Sequence, residues 1–182
     1  SRLNLDYFSE IIRSLNADIV FLQESHTYRN NIPSQASIIS DRTEHIFFIE
    51  QPISESHLTQ GANLSLAILA NSRFFDINYV ELPNPNLRSV GPDGKLWTSF
   101  NKGILTAKTC MRGQNVSLAN AHLFPLHHFD RDPKEDEFVP INKRFTNSIE
   151  NICINSPFIM GADLNMDAPF ETVPSLTRLN LS

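Results

Sequence analysis

The sequence predicts a layered α/β sandwich, two mainly antiparallel β-sheets packed face to face with helices on the outside. Three observations predict it. Most apolar runs are short, which is strand length and not helix length, and the first of them opens on the β-branched pair Ile19-Val20. The segments between them are rich in Asn, Pro, Gly and Ser, the residues that turns demand. Two stretches only repeat their apolar residues at helical spacing, one before and one after the strand-rich middle. That order suits two packed sheets with outer helices better than an alternating doubly wound sheet.

Leu5, Phe8, Ile11, Ile12 and Leu15 fall at helical spacing, so the first segment is an amphipathic helix with one face against a core, ended by Asn16-Ala17-Asp18. Ile19-Val20-Phe21-Leu22 is too short for a helix and reads as a buried strand, with Gln23-Glu24-Ser25-His26 placing a carboxylate at its tip. Further strands are expected at His45 to Ile49, Leu64 to Leu69, Phe74 to Val80, Ile104 to Cys110 and Val116 to Ala121. Pro83-Asn84-Pro85-Asn86 and Gly91-Pro92-Asp93-Gly94 are turns, the second joining two strands. The polar stretch from His122 to Pro140 reads as a surface loop. A second helix begins after Pro140, with Ile141, Phe145, Ile149 and Ile152 along one face, and Ser156-Pro157 closes it. Phe158-Ile159-Met160 is a last buried strand that runs into Gly161-Ala162-Asp163-Leu164-Asn165.

The length of 182 residues and a hydrophobic content of 41% suit a single domain over residues 1–182 that buries a substantial core. A net charge of -5 argues against a broad basic face for nucleic acid, while a local basic cleft stays compatible with it. Ile19 to Leu22 and Leu64 to Ala70 are the longest apolar candidates and are strand-sized, so no transmembrane segment is expected. Two cysteines, Cys110 and Cys153, exclude a disulfide-rich scaffold and leave a single bridge open. The chain begins at Ser1 with no signal peptide, which leaves localisation undetermined with the cytoplasm as the default.

Three apolar strands each run into a polar cluster: Leu22-Gln23-Glu24, Asn120-Ala121-His122-Leu123 and Gly161-Ala162-Asp163-Leu164-Asn165. If these ends converge, two carboxylates, an imidazole and an amide surround one point. Hard divalent cations take oxygen ligands and keep waters, so one or two carboxylates plus a substrate phosphate suffice to hold one. An imidazole and an amide then donate where charge accumulates on phosphoryl oxygens. Singly, each residue has an ordinary reading: Glu24 as a solvated strand end, His122 as a hydrogen-bonded structural histidine, Asp163 and Asn165 as turn formers. The combination in this order is more specific than its parts.

Ala17-Asp18-Ile19-Val20-Phe21-Leu22-Gln23-Glu24 resembles the Asp-Ile-(apolar)-(apolar)-Leu-Gln-Glu motif of the endonuclease/exonuclease/phosphatase superfamily. Asn120-Ala121-His122-Leu123 is similar to its Asn-Thr-His-Leu motif, and Gly161-Ala162-Asp163-Leu164-Asn165 to its Gly-Asp-Phe-Asn motif with one residue inserted. Leu66-Ala67-Ile68-Leu69 with Ser72-Arg73-Phe74 resembles the central strand pair of that superfamily. The resemblance implies a DNase I-like fold and a Mg2+-dependent phosphoester hydrolase, with Mn2+ as a substitute. It implies that Glu24 ligates the metal, His122 donates to the scissile phosphate, Asp163 orients or activates the attacking water and Asn165 steadies the phosphate. The implied substrate is a phosphoester: a nucleic acid, a phospholipid or a small phosphate ester. Two departures stand out. The chain starts at what resembles the helix after the superfamily's first strand, and it reaches Leu181-Ser182 without the closing Ser-Asp-His motif. An incomplete copy is therefore expected, and the alternative function is a catalytically inactive fragment or relative that acts as a binding module.

Other residues have plainer expectations. His26, His122, His127 and His128 are candidates for a zinc cluster, but an extended segment does not readily aim the adjacent His127 and His128 at one ion. The loop from Phe124 to Arg131 borders the substrate cleft or covers the core. Arg73, Lys102, Lys108 and Arg112 are expected to be solvated, and Trp97 and Phe100 to pack locally.

Overall fold

The computed structural model describes residues 2–153 and 156–178, so Ser1 and Leu181-Ser182, on which the expectation about incomplete ends rests, lie outside the described residues. In chain order the elements are α1 (Arg2–Leu15), β1 (Ile19–Tyr28), α2 (Gln35–Thr43), β2 (Phe47–Glu55), β3 (Ala62–Ala70), β4 (Phe74–Glu81), β5 (Arg88–Val90), β6 (Leu96–Thr98), β7 (Gly103–Met111), β8 (Gln114–His122), α3 (Val139–Cys153), β9 (Phe158–Asp163) and two one-turn helices, α4 (Pro169–Thr172) and α5 (Ser175–Arg178). Two 3-10 turns, Leu126–Phe129 and Asp136–Phe138, occupy the segment expected to be loop.

The strands form an antiparallel sheet in the order β1-β3-β2, a four-stranded sheet in the order β4-β7-β8-β9, and the small ribbon β5-β6. In the four-stranded sheet β8 and β9 alone run parallel, with α3 between them in the chain. Period-two alternation assigns each face of a strand to a different layer. Leu64, Leu66 and Ile68 of β3 meet Leu105, Val116 and Leu118 of β7 and β8 between the sheets. Ala67 and Leu69, on the opposite face of β3, meet Ala36 and Ile39 of α2 with Leu5 and Ile12 of α1. On the far side, Ile141, Phe145 and Ile149 of α3 cover Ile104, Ala119 and Ala121. Helix, sheet, sheet and helix are thus stacked in four layers, as the sequence predicts.

Asn16 ends α1 in the left-handed conformation at φ 48°, its N–H bonded to the Arg13 carbonyl at 3.1 Å. The core face of α1 is narrower than expected. Leu5 and Ile12 pack inward, whereas Phe8, Ile11 and Leu15 are exposed, because α1 lies chiefly on α2 and only one row of its side chains is covered. The helix α2 goes unannounced by apolar spacing: its buried residues are Ala36, Ile39, Ser40 and Thr43, two of them polar. Ser34 caps it by accepting from the Ser37 N–H at 3.1 Å. The turn at Gly91 to Gly94 joins β5 to β6 as expected, with Gly94 at φ +73° where a side chain would be strained. Among the described residues no helix is long and apolar enough to cross a membrane.

Candidate active site

The site is assembled from both sheets. His122 ends β8 and Asp163 ends β9, and the parallel register sets them side by side as Cα partners. His122 Nε2 lies 3.7 Å from Asp163 Oδ2 and 3.9 Å from Glu24 Oε1, so the carboxylates that the sequence places 139 positions apart flank one imidazole. Both carboxylates are open to solvent while the ring between them is buried.

Glu24 does not sit at a strand tip, as expected from the sequence, since β1 continues to Tyr28. It sits in a β-bulge. Leu22 pairs with Ala67 and Ser25 with Ser65, so Gln23 and Glu24 together oppose Leu66, and Glu24 takes a left-handed φ of 55°. A bulge re-aims one side chain out of the regular alternation, which here turns Glu24 toward the second sheet.

Asn120, fully buried on β8, holds that bulge across the sandwich. Its amide donates to the Leu22 and Ala67 carbonyls, each at 2.8 Å, and its oxygen accepts from Gln23 Nε2 at 2.6 Å. The first residue of the Asn-Ala-His-Leu motif is therefore a pin between sheets. A close approach aids it: a Cβ on Gly161 would overlap the Phe21 side chain, so the glycine of the third motif lets β9 lie against β1.

Asn165 also has a left-handed backbone, at φ 50°. Its N–H donates to Asp163 Oδ1 at 3.0 Å and its amide to the Leu123 carbonyl at 2.9 Å, so the turn after β9 is tied back to the end of β8. The ordinary reading of these two residues as turn formers is correct in this respect, and the bonds orient the Asp163 carboxylate. Asp163 and Asn165 line a cleft of about 800 Å³ whose wall also holds His127, Arg131, Lys134 and Asp167. The loop after β8 therefore borders the cleft. Its Arg131 is occupied by Glu135 and Glu137, and Lys134 by Glu171 at 3.8 Å. Trp97 of β6 reaches this rim, its ring edge-on to His128 at 5.5 Å, and His128 in turn meets His127 at 4.3 Å.

The sequence reading missed Lys102. Expected to be solvated, it is one of the largest fully buried side chains, at the entrance to β7, with its ammonium 2.8 Å from His122 Nε2 and 3.6 Å from Glu24 Oε1. Burial pushes its pKa down to about 8 against the pull of Glu24 and Asp163. The same burial, reinforced by the Lys102 charge, pushes His122 down to about 4, so at neutral pH the imidazole is uncharged and its unprotonated nitrogen accepts from the ammonium. No motif marks Lys102; its position directly before the strand that faces His122 is the one available signal.

The zinc cluster does not form from the four histidines. Both ring nitrogens of His26 are engaged, Nε2 with Ser56 at 2.8 Å and Nδ1 with Gln35 at 3.4 Å. Among the described residues no three His, Cys, Asp or Glu side chains are grouped to hold a metal ion alone. The donor set that remains, two solvent-open carboxylates, fits a hard cation that keeps water and borrows ligands from a substrate.

No family model and no curated protein matches the chain. Among solved structures it is similar to an endonuclease/exonuclease/phosphatase family protein from Leptotrichia buccalis, with a TM-score of 0.67 and 12% identity over 96% of this chain and 65% of that one. It is similar to the endonuclease/exonuclease/phosphatase from Bacteroides vulgatus, with a TM-score of 0.60 and 17% identity over 96% of this chain and 62% of that one. It is also similar to D. rerio TDP2, solved with a single-strand DNA product, with a TM-score of 0.52 and 17% identity over 93% of this chain and 57% of that one. The chain thus spans somewhat under two thirds of the length of these proteins. With its two sheets, its outer helices and this likeness, the chain has the DNase I-like fold of the endonuclease/exonuclease/phosphatase superfamily.

Proposed function

We propose that this chain carries the centre of a metal-assisted phosphoester hydrolase. The observation that carries the reading is the convergence of Glu24 and Asp163, from different sheets, on the buried His122–Lys102 pair. A fold common to many chemistries does not supply a function, so the reading rests on these groups. Glu24 would hold Mg2+, with Mn2+ as a substitute, and the ion when bound would neutralise the phosphoryl group and acidify water.

The chain's own residues do the rest. Asp163, oriented by the Asn165 N–H and open to solvent, accepts a proton from the attacking water. His122, held uncharged, keeps one N–H to donate toward a phosphoryl oxygen. Asn165 is fixed by one amide N–H to the Leu123 carbonyl, and the second N–H of the same amide would donate to a phosphoryl oxygen and steady the phosphate. The cleft beyond Asp163 takes the rest of the substrate, and its basic side chains are already paired with acids. The presence of a DNA product in D. rerio TDP2 favours a nucleic acid substrate, and the -5 charge favours a short or single-stranded one over a long duplex track.

The test is hydrolysis of bis-p-nitrophenyl phosphate with Mg2+, Mn2+ or EDTA. Turnover is expected to need the metal and to fall by about 10²–10⁴-fold in Glu24→Ala and in Asp163→Ala. A folded wild-type chain with no turnover above these variants would overturn the hydrolase reading and favour a binding module built on the same cleft.

A further inference from the structure

Lys102 is the one group at the centre that the mechanism leaves without work. A lysine is almost never fully buried unless paired. The partners of this one are the Glu24 carboxylate at 3.6 Å and the His122 ring, with nitrogens at 2.8 Å and 3.1 Å. A ring nitrogen that accepts from an ammonium carries no proton, so His122 adds no charge.

The charges facing one another are then two carboxylates, Glu24 and Asp163, and one ammonium, which leaves one negative charge. A divalent cation alone would leave these facing groups net positive, and a phosphodiester monoanion alone would leave them doubly negative. The two together bring them to neutrality. Without Lys102 the balance changes, because the divalent cation alone would neutralise the two carboxylates.

We propose that Lys102 is a resident cation that competes with a divalent metal for Glu24 in the free protein, so that metal and phosphodiester load together. The proposal rests on the reading of Glu24 as the metal ligand. Lys102 is a positioning residue here: it acts through Glu24 and sets the order of loading.

The experiment is a titration of the whole chain with Mn2+, free ion being read by electron paramagnetic resonance, with and without diethyl phosphate as an unreactive diester. Diethyl phosphate is expected to tighten Mn2+ binding to the wild type at least tenfold. Lys102→Met is expected to bind Mn2+ at least tenfold more tightly than wild type without the diester, and to lose most of the diester effect. Lys102→Arg keeps the charge and should behave as wild type. A structural lesion would weaken binding, so tightening is not the outcome of a damaged site.

Unchanged or weaker Mn2+ binding by a folded Lys102→Met overturns the proposal. If that variant does not fold, absence of the diester effect in the wild type overturns it equally. Glu24→Gln separates the two readings. Tightening that Glu24→Gln abolishes, in a chain that hydrolyses nothing, upholds the role of Lys102 while the hydrolase reading fails. Mn2+ binding indifferent to Glu24→Gln removes the metal ligand and overturns the proposal.

Discussion

At Glu24 the side chain and the backbone want different things. The carboxylate reaches the cleft because its residue adopts φ 55° inside a bulge, a conformation that costs an ordinary L-residue about 1 kcal/mol. Glycine is free of that cost. Glu24→Gly and Glu24→Ala both lose the carboxylate beside Lys102, so their difference isolates the backbone. Glu24→Gly is expected to be the more stable by about 1 kcal/mol in urea denaturation, and both should be inactive. Tyr79 makes a second residue-scale case. Its hydroxyl is buried with no hydrogen-bond partner among the described residues, so Tyr79→Phe should raise stability by about 1 kcal/mol. Burial, with a smaller contribution from Glu81, pushes its pKa up to about 12. The unfolded phenol gives up its proton near its ordinary value of about 10. The stability of the neutral folded phenol is therefore present below pH 10 and is lost as pH rises from 10 to 12. Unfolding curves taken between these pH values should fall more steeply for wild type than for Tyr79→Phe.

Among the elements, β1, β8 and β9 matter most, because Asn120 and Gly161 decide how closely they meet. Asn120→Ala takes the donor from a buried carbonyl, that of Ala67, and a half-buried one, that of Leu22, and should cost about 2–4 kcal/mol by chemical denaturation. Gly161→Ala sets a methyl group into Phe21, which forces β9 from β1 and should cost about 1–3 kcal/mol. Its turnover should fall further than its stability accounts for, since Asp163 is two residues on along the same strand. These contacts show what was legible beforehand. The strands β3, β7 and β8 and the helix α3 could be read because their pattern is local: a short apolar run in each strand, and apolar residues three and four apart in the helix. The three polar clusters were legible for the same reason. The helix α2 was not, because Ser40 and Thr43 occupy its core side and erase the apolar stripe. The bulge was not, because it is visible only against the register of β3. Lys102 was not, because nothing local to Asn101-Lys102-Gly103 announces that Glu24 and His122 stand opposite it.

For the whole molecule, four layers give the centre a dry floor and an open roof. Phe145 of α3 lies fully buried under the sheet that carries His122, and Phe145→Ala should lower unfolding free energy by about 3–5 kcal/mol. The effect on the chemistry should be small at temperatures where the variant is folded, since the hydrogen bonds and ion pairs described for Glu24, Lys102, His122 and Asp163 come from residues outside α3. The sandwich also divides the labour: one sheet brings Glu24, the other His122 and Asp163, and the pin between them is a single amide. Such a centre works as a strain gauge for its own scaffold. A slide of one sheet on the other, too slight to expose the core or change the far-ultraviolet spectrum, would already part the two carboxylates. The proposed hydrolysis should therefore fade some degrees before the chain melts, and return on cooling.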